Sequence, residues 1–322
     1  MAIKTGIVGG AGYTAGELIR VLIGHPDTEI EWILSNSHAG EPITKVHADL
    51  LGESSMTFSK TPDFNSVDLI FLCMGHGKSK SFIEEHSIPE KVKIIDLSHD
   101  YRIKASGNDF VYGLTELNHK EIAKANKIAN PGCFATAVQL AILPLAKAGV
   151  LNEIHTHAIT GSTGAGQAPS PTTHFSWRDN NISTYNAFTH RHLKEVYQSI
   201  NEYTPSYDKD VNFIPMRGDF TRGILASVYS NCDLSQNQIT ELFKDYYKES
   251  PFTIITDTNP DLKQVVNTNK CFIYPVKYKN KVHIVSIIDN LLKGASGQAV
   301  ENMNLMFNLP WTKGLYLKPS AF

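Results

Sequence analysis

The stretch "GIVGGAGYTAGEL", Gly6–Leu18, decides how the rest of the chain is read. It joins a short apolar run to a segment whose apolar residues recur at helical spacing, and the join is almost all glycine. Gly9, Gly12 and Ala15 follow a GxxGxxG/A spacing. Glycines at a strand-to-helix turn let the backbone approach a pyrophosphate, which then rests on the N-terminus of the following helix. The spacing is a variant of the strict GxGxxG pattern, so its weight comes from its context, a strand before and a helix after. A tight turn without a ligand is the alternative. Gly9, Gly12, Tyr13, Thr14 and Ala15 are the candidate cofactor contacts here.

Downstream, the strand-like runs "EIEWILSNS", "DLIFLCMG" and "VKIIDLS" alternate with the helix-like "KSFIEEH" and "HKEIAKAN". Strands alternating with helices imply βαβ units and a doubly wound parallel sheet, a Rossmann-like α/β domain. A helical pattern then runs from Cys133 to Leu151. After Gly149 the texture changes. "EIHTHAITGS", "ILASVYSNC", "TIITD" and "QVVNTNKCFIYPVKYKNKVHIVSIID" read as strands of a mostly antiparallel sheet, with "KYKNKV" as a hairpin. "QITELFKDYYKES" reads as an amphipathic helix. The tail "GASGQAVENMNLMFNLP" reads as a helix that stops before Pro310 and is free to return to the first domain. The expected division is residues 1–132 with 297–322 as a dinucleotide-binding domain, and 133–296 as an α+β domain.

The balance of the chain excludes several classes of function. A net charge of −2 with no basic stripe argues against nucleic acid as a partner. No run approaches the ~20 apolar residues of a membrane span, and "MAIKTGIVGG" has neither the basic start nor the cleavage site of a secretory leader. A cytoplasmic protein is expected. The four cysteines are far apart and form no CxxC pair, so neither a disulfide framework nor a zinc knuckle is supported, and no metal is expected.

Cys133 stands apart from the other three. It follows Pro131-Gly132 in "KIANPGCFATA", at the edge of an apolar helical segment rather than inside it. A helix N-terminus stabilises a thiolate, and the thiolate is the nucleophile. Core filler is the bland alternative. A nucleophile needs a base, and histidine suits neutral pH. Among thirteen histidines, "YNAFTHRHLKEV" offers His190 and His192, with Glu195 three residues after His192. A helix starting at His192 would put that histidine and Glu195 on one face. His192 ranks first, with little separation from His190.

Anionic substrates call for arginine. Arg102 follows a sheet strand, where ligands gather in open α/β folds. Arg217 and Arg222 lie in "PMRGDFTRGILA". The loop "GSTGAGQ" looks able to present backbone N–H groups to an anion. It adds Ser162 and Gly164 as candidate cofactor contacts and Gln167 as a candidate substrate contact. The second strand ends in Leu34, Ser35, Asn36 and Ser37, with no acid to hold a ribose 2′-hydroxyl. Hydroxyl and amide groups tolerate a 2′-phosphate, which favours NADP over NAD.

Together, "GGAGYTAGEL", "IDLSHDYR", "YGLTELN", "ANPGCFATA", "GSTGAGQ", "HRHLKE", "TRGIL" and "NLLKGASGQAVENMNLMF" give the chain a resemblance to the N-acetyl-γ-glutamyl-phosphate reductases of arginine biosynthesis, along nearly its whole length. Aspartate-semialdehyde dehydrogenases share the fold and chemistry, with motifs that fit less well. The resemblance implies Cys133 as nucleophile and matches His190, His192 and Glu195 to the family's histidine motif. It implies Arg102 as a substrate-site arginine, and 133–296 as the catalytic and dimerisation domain. It puts Gly9, Gly12, Ser35, the Gly75-His76-Gly77 turn, Gly164 and Asn290 in segments that line the cofactor. The family often carries arginine where this chain has Asn36, which weakens the warrant for NADP.

The implied reaction is NADPH-dependent reduction of an acyl phosphate through a cysteine thioester, by a homodimer or homotetramer. Another semialdehyde dehydrogenase, acting on succinyl-glutamyl, aspartyl or aminoadipyl phosphate, is the nearest alternative. An NADP-binding protein without turnover is the more distant one.

Overall fold

The computed structural model describes residues 2–75 and 77–320. His76, a candidate cofactor contact, lies outside them. The chain divides into two compact units. The first runs up to Pro131 and takes in Ala295–Tyr316; the second is Gly132–Gly294, joined by the segment from Leu317. The returning segment therefore starts slightly earlier than expected and leaves the first unit at Tyr316, whereas 297–322 had been assigned to it.

In the first unit β1 (Ile3–Val8) leads through the glycine turn into α1 (Tyr13–Ile23) and β2 (Thr28–Leu34). The later elements are β3 (Phe58–Ser59), β4 (Leu69–Leu72), α2 (Lys78–Glu85), β5 (Lys93–Asp96), β6 (Val111–Tyr112), α3 (Thr115–Ile122) and β7 (Lys127–Ala129). The seven strands form one parallel sheet in the order β3-β2-β1-β4-β5-β7-β6. Strands buried on both faces read as continuous apolar runs, and Leu69–Leu72 is buried at every position. The short strands β3, β6 and β7 are additions to the expected set. At two or three residues each they carry no period of their own.

Gly9 adopts φ 82°, and a Cβ there would lie 2.9 Å from the Cys73 carbonyl oxygen, so only glycine fits. The C-terminal helix Gly297–Met306 packs on α1, α3 and β5 of this unit and is buried at all its positions. Its polar residues are therefore hydrogen-bonded inward. Asn304 donates to the carbonyls of Trp311 and Lys313 and accepts from His25.

The second unit opens with α4 (Cys133–Lys147), followed by β8 (Ile154–Thr160), the short α5 (Phe175–Arg178), β9 (Ser183–Thr184), α6 (Leu193–Asn201), β10 (Val211–Arg217), β11 (Ile224–Asn231), α7 (Gln236–Tyr247), β12 (Thr253–Ile255), β13 (Cys271–Tyr278) and β14 (Lys281–Ile288). Its seven-stranded mixed sheet has the order β12-β13-β14-β11-β8-β10-β9 and is mostly antiparallel. The expected hairpin turns at Lys279-Asn280, between the paired Tyr278 and Lys281. Helices α4, α6 and α7 cover one face of the sheet. The other face shows half-buried side chains aligned by strand register, Ile159, Leu225 and Phe272, in one row with the fully buried Ile287. Helix α4 is buried from Phe134 to Ala146. A helix that is apolar all round belongs in a core.

Candidate active site

Cys133 is the first residue of α4. Gly132 caps the helix with extended backbone (φ −73°, ψ 148°), and its carbonyl accepts the Thr136 N–H at 2.8 Å. No acidic residue stands in the first turn. Cys133 is half-buried, while Cys232 and Cys271 are buried. Cys133 thus lies where the helix's positive end meets an accessible edge of the core.

Glu195 connects the cysteine turn to the histidines. It is only 3% exposed; its Oε2 accepts the Gly132 N–H at 2.9 Å and its Oε1 lies 3.9 Å from His192 Nε2. His192 is the residue before α6, so the expected helix start places it and Glu195 one turn apart on the same face. Both histidines are buried, but they differ in chemistry. His190 Nδ1 accepts the His192 backbone N–H at 3.2 Å, which assigns its own proton to Nε2. Burial first, and the neighbouring Arg191 second, push its pKa down to about 4. His190 is a neutral imidazole at pH 7, wedged among Phe134, Phe213 and Tyr185. Tyr185, which the sequence reading missed, interacts with Cys133. Burial and that interaction push its phenol up to about 12, so it stays protonated. It is an isolated aromatic in a loop, and no periodicity marks it.

The arginines separate into different environments. Arg217 stacks on the Tyr185 ring, 4.8 Å from its centroid. Arg222 lies instead against the fully buried Asp289, with Nε and Nη2 at 3.1 and 3.0 Å from Oδ2. That pairing gives Arg222 a structural partner inside the protein, since releasing it would strand a buried carboxylate. Arg102, in the first unit, is buried and donates from Nε to the Asn130 carbonyl (2.8 Å) and from Nη2 to the Leu97 carbonyl (3.0 Å). Gln167 is exposed.

Among the cofactor candidates, α1 begins with no side-chain cap and no acid in its first turn. A Cβ on Gly12 would meet only the Gly9 carbonyl, at 4.0 Å, and one on Gly75 would meet nothing within 4 Å, so the backbone is open to close approach. Helix α2, by contrast, is already capped: Asp100 accepts the N–H groups of Gly77, Ser79 and Lys80. Ala15 is buried and Tyr13 exposed, and the Thr14 carbonyl accepts from Ser296. Ser35 is buried and Asn36 exposed at the end of β2, with no carboxylate from 34 to 37. Residues that present open amides, an uncapped helix and no acid fit a dinucleotide phosphate.

The loop at Ser162–Ala165 behaves differently from expectation. It forms a 3₁₀ turn in which the amides of Gly161, Ser162, Thr163, Gly164 and Gly166 are all hydrogen-bonded to carbonyls. It is therefore no open nest, because its own turn and the Phe220–Gly223 strand entry consume the donors. Asn290 is buried and bridges this turn to Gly223, donating to Thr163 Oγ1 and accepting the Gly223 N–H. Among the described residues no cluster of His, Cys, Asp or Glu suits a metal ion, and no helix is long and apolar enough to cross a membrane.

An NAD-binding domain and a dimerisation domain of the semialdehyde dehydrogenases match residues 4–125 and 133–290. Solved structures agree in fold: aspartate semialdehyde dehydrogenase II from Vibrio cholerae covers 96% of this chain and 99% of its own at TM-score 0.73 and 17% identity. The aspartate semialdehyde dehydrogenase with NADP from Candida albicans gives TM-score 0.73 at 13% identity, over 95% of this chain and 99% of its own. Among curated relatives, the N-acetyl-gamma-glutamyl-phosphate reductase of Parabacteroides distasonis is 58% identical over 99% of this chain and 100% of its own. That of Flavobacterium johnsoniae is 53% identical over the same shares. Fold and site thus define a semialdehyde dehydrogenase. Within that class, the chain belongs to the N-acetyl-γ-glutamyl-phosphate reductase family.

Proposed function

We propose that this chain reduces N-acetyl-L-glutamyl 5-phosphate to N-acetyl-L-glutamate 5-semialdehyde, with NADPH as reductant. The observation that carries the reading is the arrangement at α4: Cys133 on the helix end, with Glu195 reaching both the preceding amide and His192.

His192 takes the Cys133 proton, and the buried Glu195 carboxylate favours the resulting imidazolium. The thiolate attacks the acyl carbon. The C–O bond to phosphate breaks, phosphate leaves with the electron pair, and a thioester remains on Cys133. NADPH, when held at the glycine turn, would supply the hydride equivalent for reduction at that carbon. His192 returns its proton as the C–S bond breaks, giving aldehyde and free thiol. His190, neutral and tied to the His192 amide, orients its neighbour. The phenol of Tyr185 stays available as a hydrogen-bond donor, and Arg217 faces the substrate's negative charge. Gly9, Gly12, Tyr13 and Thr14 would hold the dinucleotide phosphates, with Ser35 and Asn36 near the 2′-phosphate.

The chain also self-associates in this reading, as a homodimer at least, through the open face of the second sheet. There Leu225, Phe272 and Tyr274 are half-buried apolar side chains beside the buried Ile287. Its cysteines stand as free thiols, in keeping with a reducing cytoplasm.

The test is phosphate-dependent NADP⁺ reduction by N-acetyl-glutamate semialdehyde, against aspartate semialdehyde as control. Cys133→Ser is expected to lose activity by about 10³-fold or more, as removal of a covalent nucleophile does. A Cys133→Ser enzyme that turned over at the wild-type rate would sink the covalent scheme.

A further inference from the structure

The segment Gly294–Asn302 contacts the chain around the nucleophile in ways that its helix-like sequence does not require. Asn130, three residues before Cys133, is held at four points. Its N–H donates to the Asp96 carbonyl (2.8 Å), and its carbonyl accepts from Arg102 Nε (2.8 Å). Its Nδ2 donates to the Ala295 carbonyl (3.0 Å), and its Oδ1 accepts from Asn302 Nδ2 (3.0 Å). Asn302 also donates to the Gly113 carbonyl at 3.0 Å and is fully buried. A buried amide that spends both donors on two distant loops fixes their separation.

Gly294 supplies a second, independent contact. It lies in the π-turn Leu292–Ser296, and its N–H donates to the Asp289 carbonyl at 2.9 Å. A Cβ built on Gly294 would sit 2.8 Å from Cys133 Cβ and 3.3 Å from Cys133 Cα. The nucleophile's own backbone therefore rests against a position with no room for a side chain. π-turns are rare and recur at functional sites. Asp289, whose carboxylate accepts the N–H groups of Leu291, Leu292 and Asn267, anchors the turn from beneath.

We infer that Gly294 is a positioning residue for Cys133, setting where the thiol-bearing residue rests at the head of α4, and that Asn302 holds Asn130 at the start of the chain turn that leads to it. Neither touches the reacting atoms. The inference rests on the assignment of Cys133 as nucleophile, and it holds for any acyl phosphate that Cys133 attacks.

The test uses the full-length enzyme with Gly294→Ala and Asn302→Ala, read in two ways. The first is steady-state kinetics. Both variants are expected to lose kcat by about tenfold to a hundredfold, the effect of a roughly 1 Å misplacement, with KM for both substrates within about threefold of wild type. The second is the rate of Cys133 alkylation by iodoacetamide as a function of pH. It needs no substrate, so it separates failure of this inference from failure of the substrate assignment. Its midpoint is expected to move in both variants, because the thiol is displaced from the helix end. Folding is monitored by circular dichroism. If Asn302→Ala does not fold, Asn302→Ser, which keeps a donor, takes its place. Folded variants with wild-type kcat and an unmoved alkylation midpoint overturn the inference. So does a rise in KM at constant kcat, which would make these residues part of binding.

Discussion

Replacing Glu195 separates its two contacts. In Glu195→Gln the shape is kept, and the amide oxygen can still accept the Gly132 N–H. The negative charge facing His192 is lost. At the observed 3.9 Å, a carboxylate–imidazolium pair is worth about 4 kcal/mol at an effective dielectric of ~20. That sets the ceiling: kcat falls by up to about 10³-fold, since each ~1.4 kcal/mol is a factor of ten. KM is expected to change little, because the charge acts on the imidazolium formed during reaction. Glu195→Ala removes the acceptor as well. A buried Gly132 N–H without a partner costs about 1–3 kcal/mol of stability. For units of this size that is a fall in Tm of roughly 2–4 °C per kcal/mol. The assay is NADPH oxidation with acyl phosphate, alongside thermal melts. Gln should lose rate at constant Tm, and Ala should lose both. A Gln variant with kcat within about threefold of wild type would refute the electrostatic role.

Further outcomes follow from other parts of the site. His190 is buried with its pKa lowered to about 4 from 6.5, so the unfolded chain binds the extra proton between those values. Stability from this group is full above pH 6.5 and lost as pH falls toward 4; melts across that window should show a Tm decline that His190→Asn flattens. Arg222→Met should destabilise by about 3–5 kcal/mol by stranding Asp289, whereas Arg217→Gln should leave Tm unchanged and raise KM for the acyl phosphate. Gly9→Ala meets both a left-handed backbone and the Cys73 carbonyl, so it should cost at least about 1–2 kcal/mol and weaken NADPH binding in a fluorescence titration.

The parts of this protein that were legible in its sequence are those whose signals are local. The glycine turn announces itself because strand, turn and helix are contiguous, and Cys133 does so because a Pro-Gly turn adjoins an apolar helix. The buried strands of the first sheet are legible as apolar runs; β3, β6 and β7 are not, because two or three residues gain strand geometry only from a neighbour. The order of the two histidines was hidden because it depends on which backbone N–H meets His190 Nδ1. Arg222 and Arg217 look alike in the sequence, because the partner that separates them, Asp289, is distant in it. The tail is legible as a returning helix, but the burial of Asn302 is not, because the partners that meet it, Gly113 and Asn130, are distant in sequence.

The return of Gly297–Met306 to the first unit also governs the order in which the protein can mature on the ribosome. The second unit's main body is one continuous stretch and can close as soon as it emerges. The first unit, although made first, has a core that stays open until the last helix has been synthesised. Between Pro131 and Met306 lie roughly 175 residues, about 9–35 s of elongation at ~5–20 residues per second. During that interval the apolar strands and the faces of α1 and α3 that receive the helix are unprotected. The nascent first unit is thus expected to be the stage most exposed to premature aggregation.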